Sequence, residues 1–149
     1  MDQSSYFIDT SALFKRYVEE AGSLTINRLL DSGATCYVSP ATLLEVVSNL
    51  RRLVDVDKLL TDEEFNLVKE VFLGEIGNGT LHTVAITSWI ILTSLEICSN
   101  KYVTPLDAIQ ISSALSLGKE TIFFVCSDSK LLKLAVDCGL RTFNPVKQD

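Results

Sequence analysis

The sequence is poor in histidine: its 149 residues include one, His82. Zinc sites built on several histidines, HExxH proteases and two-histidine iron sites therefore cannot be assembled within the chain. A Ser–His or Cys–His nucleophile would have to use His82, and no GxSxG elbow accompanies it. His82 falls in a strand-like pattern and reads as structural. The four cysteines, Cys36, Cys98, Cys126 and Cys138, form no CxxC pair, which sets aside zinc ribbons and thioredoxin-like sites. A long apolar run is missing too. The most apolar stretch, 84–98, is broken by Thr87, Ser88, Thr93, Ser94 and Glu96, short of the roughly 18 residues a membrane span needs. The opening MDQSSYF has no basic n-region, so no signal peptide and no membrane association are expected. Free thiols in a reducing, cytoplasmic setting are the expectation.

Basic residues are in deficit. Thirteen Lys and Arg stand against nineteen Asp and Glu, a net charge of −6. That tells against clamping duplex nucleic acid by bulk electrostatics. It does not tell against an enzyme that gathers carboxylates around a divalent cation. With multi-histidine chemistry excluded, carboxylates and a hard metal are the expected tools of any catalysis here.

What is present is ordinary globular material: 47% hydrophobic and 21% charged residues. The length fits a single domain over residues 1–149. Tyr6-Phe7-Ile8 reads as a short buried strand ending at Asp9, followed by a helix from Ala12 to about Glu19. A second helix carries Leu24, Ile26, Leu29 and Leu30, and a second strand spans 35–38. Ser39-Pro40 is a cap followed by proline at the first helical position. Thr61 to Glu64 is a capping box opening another helix, stopped by Gly77-Asn78-Gly79. A third strand is expected over 81–86, with Thr87 capping the next helix. Thr104-Pro105 starts a further helix, with a weaker capping box to Asp107. TIFFVC at 121–126 is the most strand-like run. Ser127-Asp128 opens a helix ending at Gly139, and 141–143 is a candidate edge strand. Short apolar strands alternating with helices mean a parallel sheet of four to five strands covered on both faces. Ligands in such sheets sit at the carboxyl ends of the strands.

Four acids fall where that rule points. Asp9 ends strand one and Asp128 follows the TIFFVC strand. Glu45 lies in the early turns of the helix after strand two, and Asp107 in the first turn of its helix. A carboxylate cluster repels itself unless a cation is bound, and oxygen-only ligands select Mg²⁺ or Mn²⁺. Each acid also has a bland reading. Asp9 and Asp128 could be caps or partners of a helix dipole. Glu45 lies on a mostly polar face with Ala41, Thr42, Ser48, Asn49 and Arg52, where a glutamate is usually solvated. Asp107 shares a face with Ile111 and Ala114, where a solvated acid is less expected. Lys15, Arg16, Arg51, Arg52 and Lys130 could touch phosphates but read as solvated surface charge. Trp89, with Ile90 and Leu92, reads as core or dimer surface, and Cys126 as a small buried apolar residue.

The segments IDTSALFKRYVEEAGS (8–23), SPATLLEV (39–46), TPLDAIQISSAL (104–115) and FVCSDSKLLKLAVDCGL (124–140) resemble, in that order, the PIN-domain nucleases. Among them they are most similar to VapC-type toxins of bacteria and archaea. The resemblance covers nearly the whole chain and implies a Rossmann-like three-layer α/β/α sandwich. It implies a Mg²⁺- or Mn²⁺-dependent endoribonuclease that leaves a 5′-phosphate and a 3′-hydroxyl, a homodimer, and a cognate antitoxin that blocks the site. The four family acids match Asp9, Glu45, Asp107 and Asp128, as metal ligands and catalytic groups. Ser11 is implied to order Asp9 or a metal-bound water. Residues 55–80 carry no motif. The acidic charge would suit a basic antitoxin segment entering the pocket. A phosphatase of the haloacid-dehalogenase type would want a second Asp two residues after Asp9, where Ser11 stands. A receiver domain would want a phosphorylatable Asp after the third strand, where Thr87-Ser88 stands. A catalytically silent PIN-like module that binds RNA or a partner is the remaining alternative.

Overall fold

The computed structural model describes residues 4–146. Five strands, β1 (Ser5–Ile8), β2 (Cys36–Val38), β3 (His82–Thr83), β4 (Ile122–Val125) and β5 (Arg141–Phe143), form one sheet. Their order is β3-β2-β1-β4-β5, and every pairing is parallel. Among the described residues seven α-helices connect them: α1 (Thr10–Leu13), α2 (Ser23–Asp31), α3 (Pro40–Asp55), α4 (Asp62–Gly77), α5 (Ser88–Asn100), α6 (Pro105–Ser116) and α7 (Ser129–Asp137).

Strand alternation sorts the core into two halves. Ile8 pairs with Val125, and both face the layer built by α1 to α4, with Leu13, Ile26, Val46, Leu50 and Phe72. Phe7 pairs with Phe124, and both face α6 and α7, with Ile111, Leu131 and Leu134. The two rings stack at 5.9 Å. Completely buried side chains such as Phe7, Phe72 and Phe124 each contribute about 1.5–3 kcal/mol by leaving water.

The helix starts follow their caps. Ser39, Thr61, Thr87, Thr104 and Asp128 each accept a hydrogen bond from a first-turn amide. The reciprocal capping box is complete at Thr61 and Glu64. Helix α7 closes on Gly139 at φ +88°. Its amide donates to Val136 and that of Leu140 to Ala135, a Schellman closure.

Several local expectations need correction, Arg16 among them, since it is paired with Glu75 and Asp31 and only 18% exposed. The helix expected from Ala12 to Glu19 is short. After Leu13 it tightens into a 3₁₀ turn over Phe14–Arg16, where Tyr17 and Val18 both donate to the Phe14 carbonyl. The third strand is two residues long instead of six. Among the described residues it is an edge strand held by β2 alone, and the chain leaves the ladder after Val84 donates to Val38. The apolar character of Val84 is accounted for by packing against the second core half. Lys15 is buried and paired with Glu20 at 2.9 Å rather than solvated.

Candidate functional site

The strand order reverses between β1 and β4, the connections that follow them running to opposite edges of the sheet. A crevice at that switch point is where a doubly wound sheet presents its ligand site. Asp9 follows β1 directly and Asp128 lies three residues beyond β4. Glu45 comes from the second turn of α3 and Asp107 from the first turn of α6.

Asp9 is buried, at 6% exposure, and fully engaged. Its Oδ2 accepts from the Ser11 hydroxyl at 2.8 Å and the Ser11 amide at 3.3 Å, so it also caps α1. Its Oδ1 accepts from the Gln110 amide nitrogen at 3.0 Å. The Cys126 thiol lies 3.7 Å from Oδ2 and is completely buried. Burial and the charges of Asp9 and Asp128 push that thiol far above its ordinary range, so it is neutral.

Glu45 is half-buried rather than solvated. Its Oε1 accepts from the Thr10 hydroxyl at 2.9 Å. Thr10 and Thr42 hydroxyls lie 3.0 Å apart, and Gln110 also donates to Thr42 at 3.1 Å. A buried polar lattice of Thr10, Thr42 and Gln110 thus ties Asp9 to Glu45. Asp128 is exposed, and its Oδ1 accepts from the amides of Lys130 and Leu131 at 2.9 and 3.1 Å. Its Oδ2 and Glu45 Oε2 carry no protein hydrogen bond among the described residues.

The four acids share one electrostatic environment. Burial raises the pKa of Glu45, and the charges of Asp9 and Asp107 raise it further against the Thr10 hydrogen bond. Burial likewise raises Asp107, with Asp9 and Asp128 adding to it against the Thr104 hydrogen bond. Among the described residues none of the four forms a salt bridge. Arg16 is committed to Glu75 at 2.7 Å and Asp31 at 2.9 Å, and Arg51 to Asp55 and Asp62; Lys130, which lines a cleft together with Asp107, forms no ion pair with it. Crowded carboxylates that make no ion pair are the donor set a hard divalent cation neutralises. Among the described residues no three His, Cys, Asp or Glu side chains are already closed into a metal cage. Mg²⁺ does not require one, since it keeps several waters and is held by one or two carboxylates.

Gln110, Thr10 and Thr42 escape a reading by charge. Gln110 sits one turn beyond Asp107 and is 2% exposed. The available signal was an uncharged polar residue inside the run AIQISSAL. A larger cavity, about 510 Å³, lies over the Arg16–Glu75 pair and contains none of the four acids. No helix among the described residues is long and apolar enough to cross a membrane.

A family model for the PIN domain matches residues 6–136. No curated protein matches the chain. The crystal structure of FitAcB from Neisseria gonorrhoeae includes a chain that matches with a TM-score of 0.69 at 16% identity, covering 96% of this chain and 99% of that one. A toxin–antitoxin complex from Klebsiella pneumoniae matches at 0.68 and 14%, covering 97% and 100%. VapBC2 from Rickettsia felis, bound to a DNA fragment from their promoter, matches at 0.66 and 16%, covering 93% and 97%. At these identities the likeness is one of fold.

Proposed function

The chain belongs to the PIN-domain family, and from that premise we propose that it is a metal-dependent endoribonuclease, the toxin of a toxin–antitoxin pair. The observation that carries the reading is the set Asp9, Glu45, Asp107 and Asp128 beside one switch point, with no ion pair to any of them among the described residues. Mg²⁺ or Mn²⁺ would be held by oxygens of these four residues. When bound, such an ion supplies a Lewis acid that eases water ionisation and steadies developing charge on a phosphoryl group.

The chain's own residues do the rest. Ser11 and Gln110 fix the two oxygens of Asp9, so that it meets a ligand in one orientation. Glu45, held at Oε1 by Thr10 and with raised proton affinity, is placed to take the proton from an attacking water. Asp128 is anchored through Oδ1, which leaves Oδ2 for a ligand. Hydrolysis of this kind leaves a 5′-phosphate and a 3′-hydroxyl.

Two partners belong to the same reading. Helix α5 leaves Trp89, Leu92 and Leu95 exposed, a face suited to a second copy in a homodimer. A cognate antitoxin with a basic segment suits the uncompensated acids, and one of the fold neighbours is a toxin–antitoxin complex.

The test is cleavage of a mixed structured RNA set with Mn²⁺, with Mg²⁺ and with EDTA, using wild type and Asp9→Asn purified in parallel. Metal-dependent cutting by wild type that disappears in Asp9→Asn is the expected result. Equal cutting by both proteins would mark a contaminant. Metal binding without any cutting would favour the alternative, a silent RNA- or partner-binding module.

A further inference from the structure

A cleft of about 430 Å³ opens beside the acids, where the segment before α6 meets the start of α7. Asp107 forms part of its wall, so the cleft adjoins the candidate site. Lys101, Lys130 and Lys133 line it too, with Tyr102 among them. Three lysines around one opening need a reason in a chain with a net charge of −6. Lys130 and Lys133 have no ion pair among the described residues, and Lys101 reaches Asp137 only at 3.7 Å, both side chains half exposed. They are not spent on holding the fold.

Tyr102 is 92% exposed, so its ring buries almost nothing for stability. The floor beneath it is firm, because Val103, Leu131 and Leu134 belong to or pack on the second core half. An exposed aromatic among lysines, on a rigid apolar floor, has the composition of a single-stranded nucleic-acid track. Bases inside a duplex are stacked on one another and do not reach such a ring. A basic peptide segment would be repelled by the three lysines, so it belongs elsewhere on the acid cluster.

We propose that this cleft receives the single-stranded RNA segment next to the cutting point. The lysines take backbone phosphates and offset the repulsion they meet on approaching the acids. Tyr102 stacks one unpaired base. The position of the cutting point rests on the nuclease reading above; the binding itself does not.

The experiment is fluorescence anisotropy of a short labelled single-stranded RNA, titrated with the full chain in EDTA at several KCl concentrations. Replacing Lys101, Lys130 and Lys133 together by Gln should weaken binding at least about tenfold at low salt. It should also flatten the log–log salt slope by about 2, at roughly 0.7 for each phosphate that no longer meets a lysine. Tyr102→Ala should weaken binding about tenfold with the slope unchanged, and Tyr102→Phe should retain it. Replacing Arg28, Lys58 and Lys69 together by Gln removes the same charge away from the cleft and should leave affinity within about twofold.

The proposal is overturned if wild type does not bind, if the cleft variants bind like wild type, or if the control set weakens binding as much as the cleft set. Cutting assays on the same proteins keep the two readings apart. Metal-dependent cutting that is indifferent to the cleft variants sinks the track and keeps the nuclease. Cleft-dependent binding with no cutting sinks the nuclease and keeps the track.

Discussion

Gln110→Leu puts the geometry of the site under the most direct strain. The Gln110 amide nitrogen donates to Asp9 Oδ1 at 3.0 Å and to Thr42 Oγ1 at 3.1 Å, in a position only 2% exposed. Leucine roughly keeps the volume and deletes both donors. A hydrogen bond to a charged acceptor contributes about 1.5–3 kcal/mol, and one to a hydroxyl about 0.5–1.5 kcal/mol. The second loss is softened because Thr42 also lies 3.0 Å from the Thr10 hydroxyl. Gln110 Oε1 has no hydrogen-bond partner among the described residues, so removing it relieves a buried unsatisfied acceptor. The net loss is about 2 kcal/mol, or a drop in Tm of roughly 4–8 °C for a domain of this size. Gln110→Glu sharpens the test through pH. Protonated, the new carboxyl can still donate to Asp9; ionised, it is a buried like charge. Its folded pKa therefore lies above the unfolded value of about 4.3. The stability it contributes is present below that unfolded value and is lost as pH rises through the folded one. Thermal melts followed by circular dichroism at stepped pH read both effects. A leucine variant melting within about 1 °C of wild type, together with a glutamate variant that tracks wild type across pH, would refute this account of the lattice.

Further outcomes follow from the same structure. Arg16→Met strands Glu75, which is 11% exposed and bonded to Arg16 at 2.7 and 3.2 Å; the expected loss is about 3 kcal/mol in urea unfolding, and a change under about 0.5 kcal/mol would show the pair to be dispensable. Thr61→Ala removes the capping box of α4 and should lower stability by about 1 kcal/mol, read as a shifted urea midpoint with an unchanged slope. Glu45 and Asp107 both have raised folded pKa values, so what they contribute to metal-free stability is present at acid pH and is lost as pH rises through those values. Protons and Mn²⁺ compete for them, and the thermal shift produced by Mn²⁺ should be larger at pH 7.5 than at pH 5; an equal shift at both would place the ion away from these two acids.

The layer order of the fold was legible because its signals are local. Ser39-Pro40, Thr61, Thr87 and Thr104 each start a helix, and Phe7 and Ile8 divide between the two faces as a buried strand requires. Boundaries failed where tertiary contacts intervene. Arg16 reaches Glu75, 59 residues away, from within the 3₁₀ turn that shortens the first helix. The stretch 84–86 looks like strand by composition but has no further partner at the sheet edge. At the site, the acids could be marked by their places beside strand ends and helix starts. Their hydrogen-bond partners could not, since Gln110 meets Asp9 across 101 residues and Thr42 meets Thr10 across 32. Helical periodicity puts Glu45 on a polar face, and the packing of α3 against α1 turns Thr42 and Glu45 toward Thr10 while Ser48 and Asn49 stay exposed.

The central claim is that Asp9, Glu45, Asp107 and Asp128 together form a site for one or more divalent cations. Calorimetric titration of Mn²⁺ into wild type and into Asp107→Asn at neutral pH tests it most directly. The account predicts saturable binding by wild type that weakens at least about tenfold in the variant, the effect of roughly 1.4 kcal/mol or more lost from one ligand. No saturable heat with wild type, or identical binding by both proteins, would contradict it.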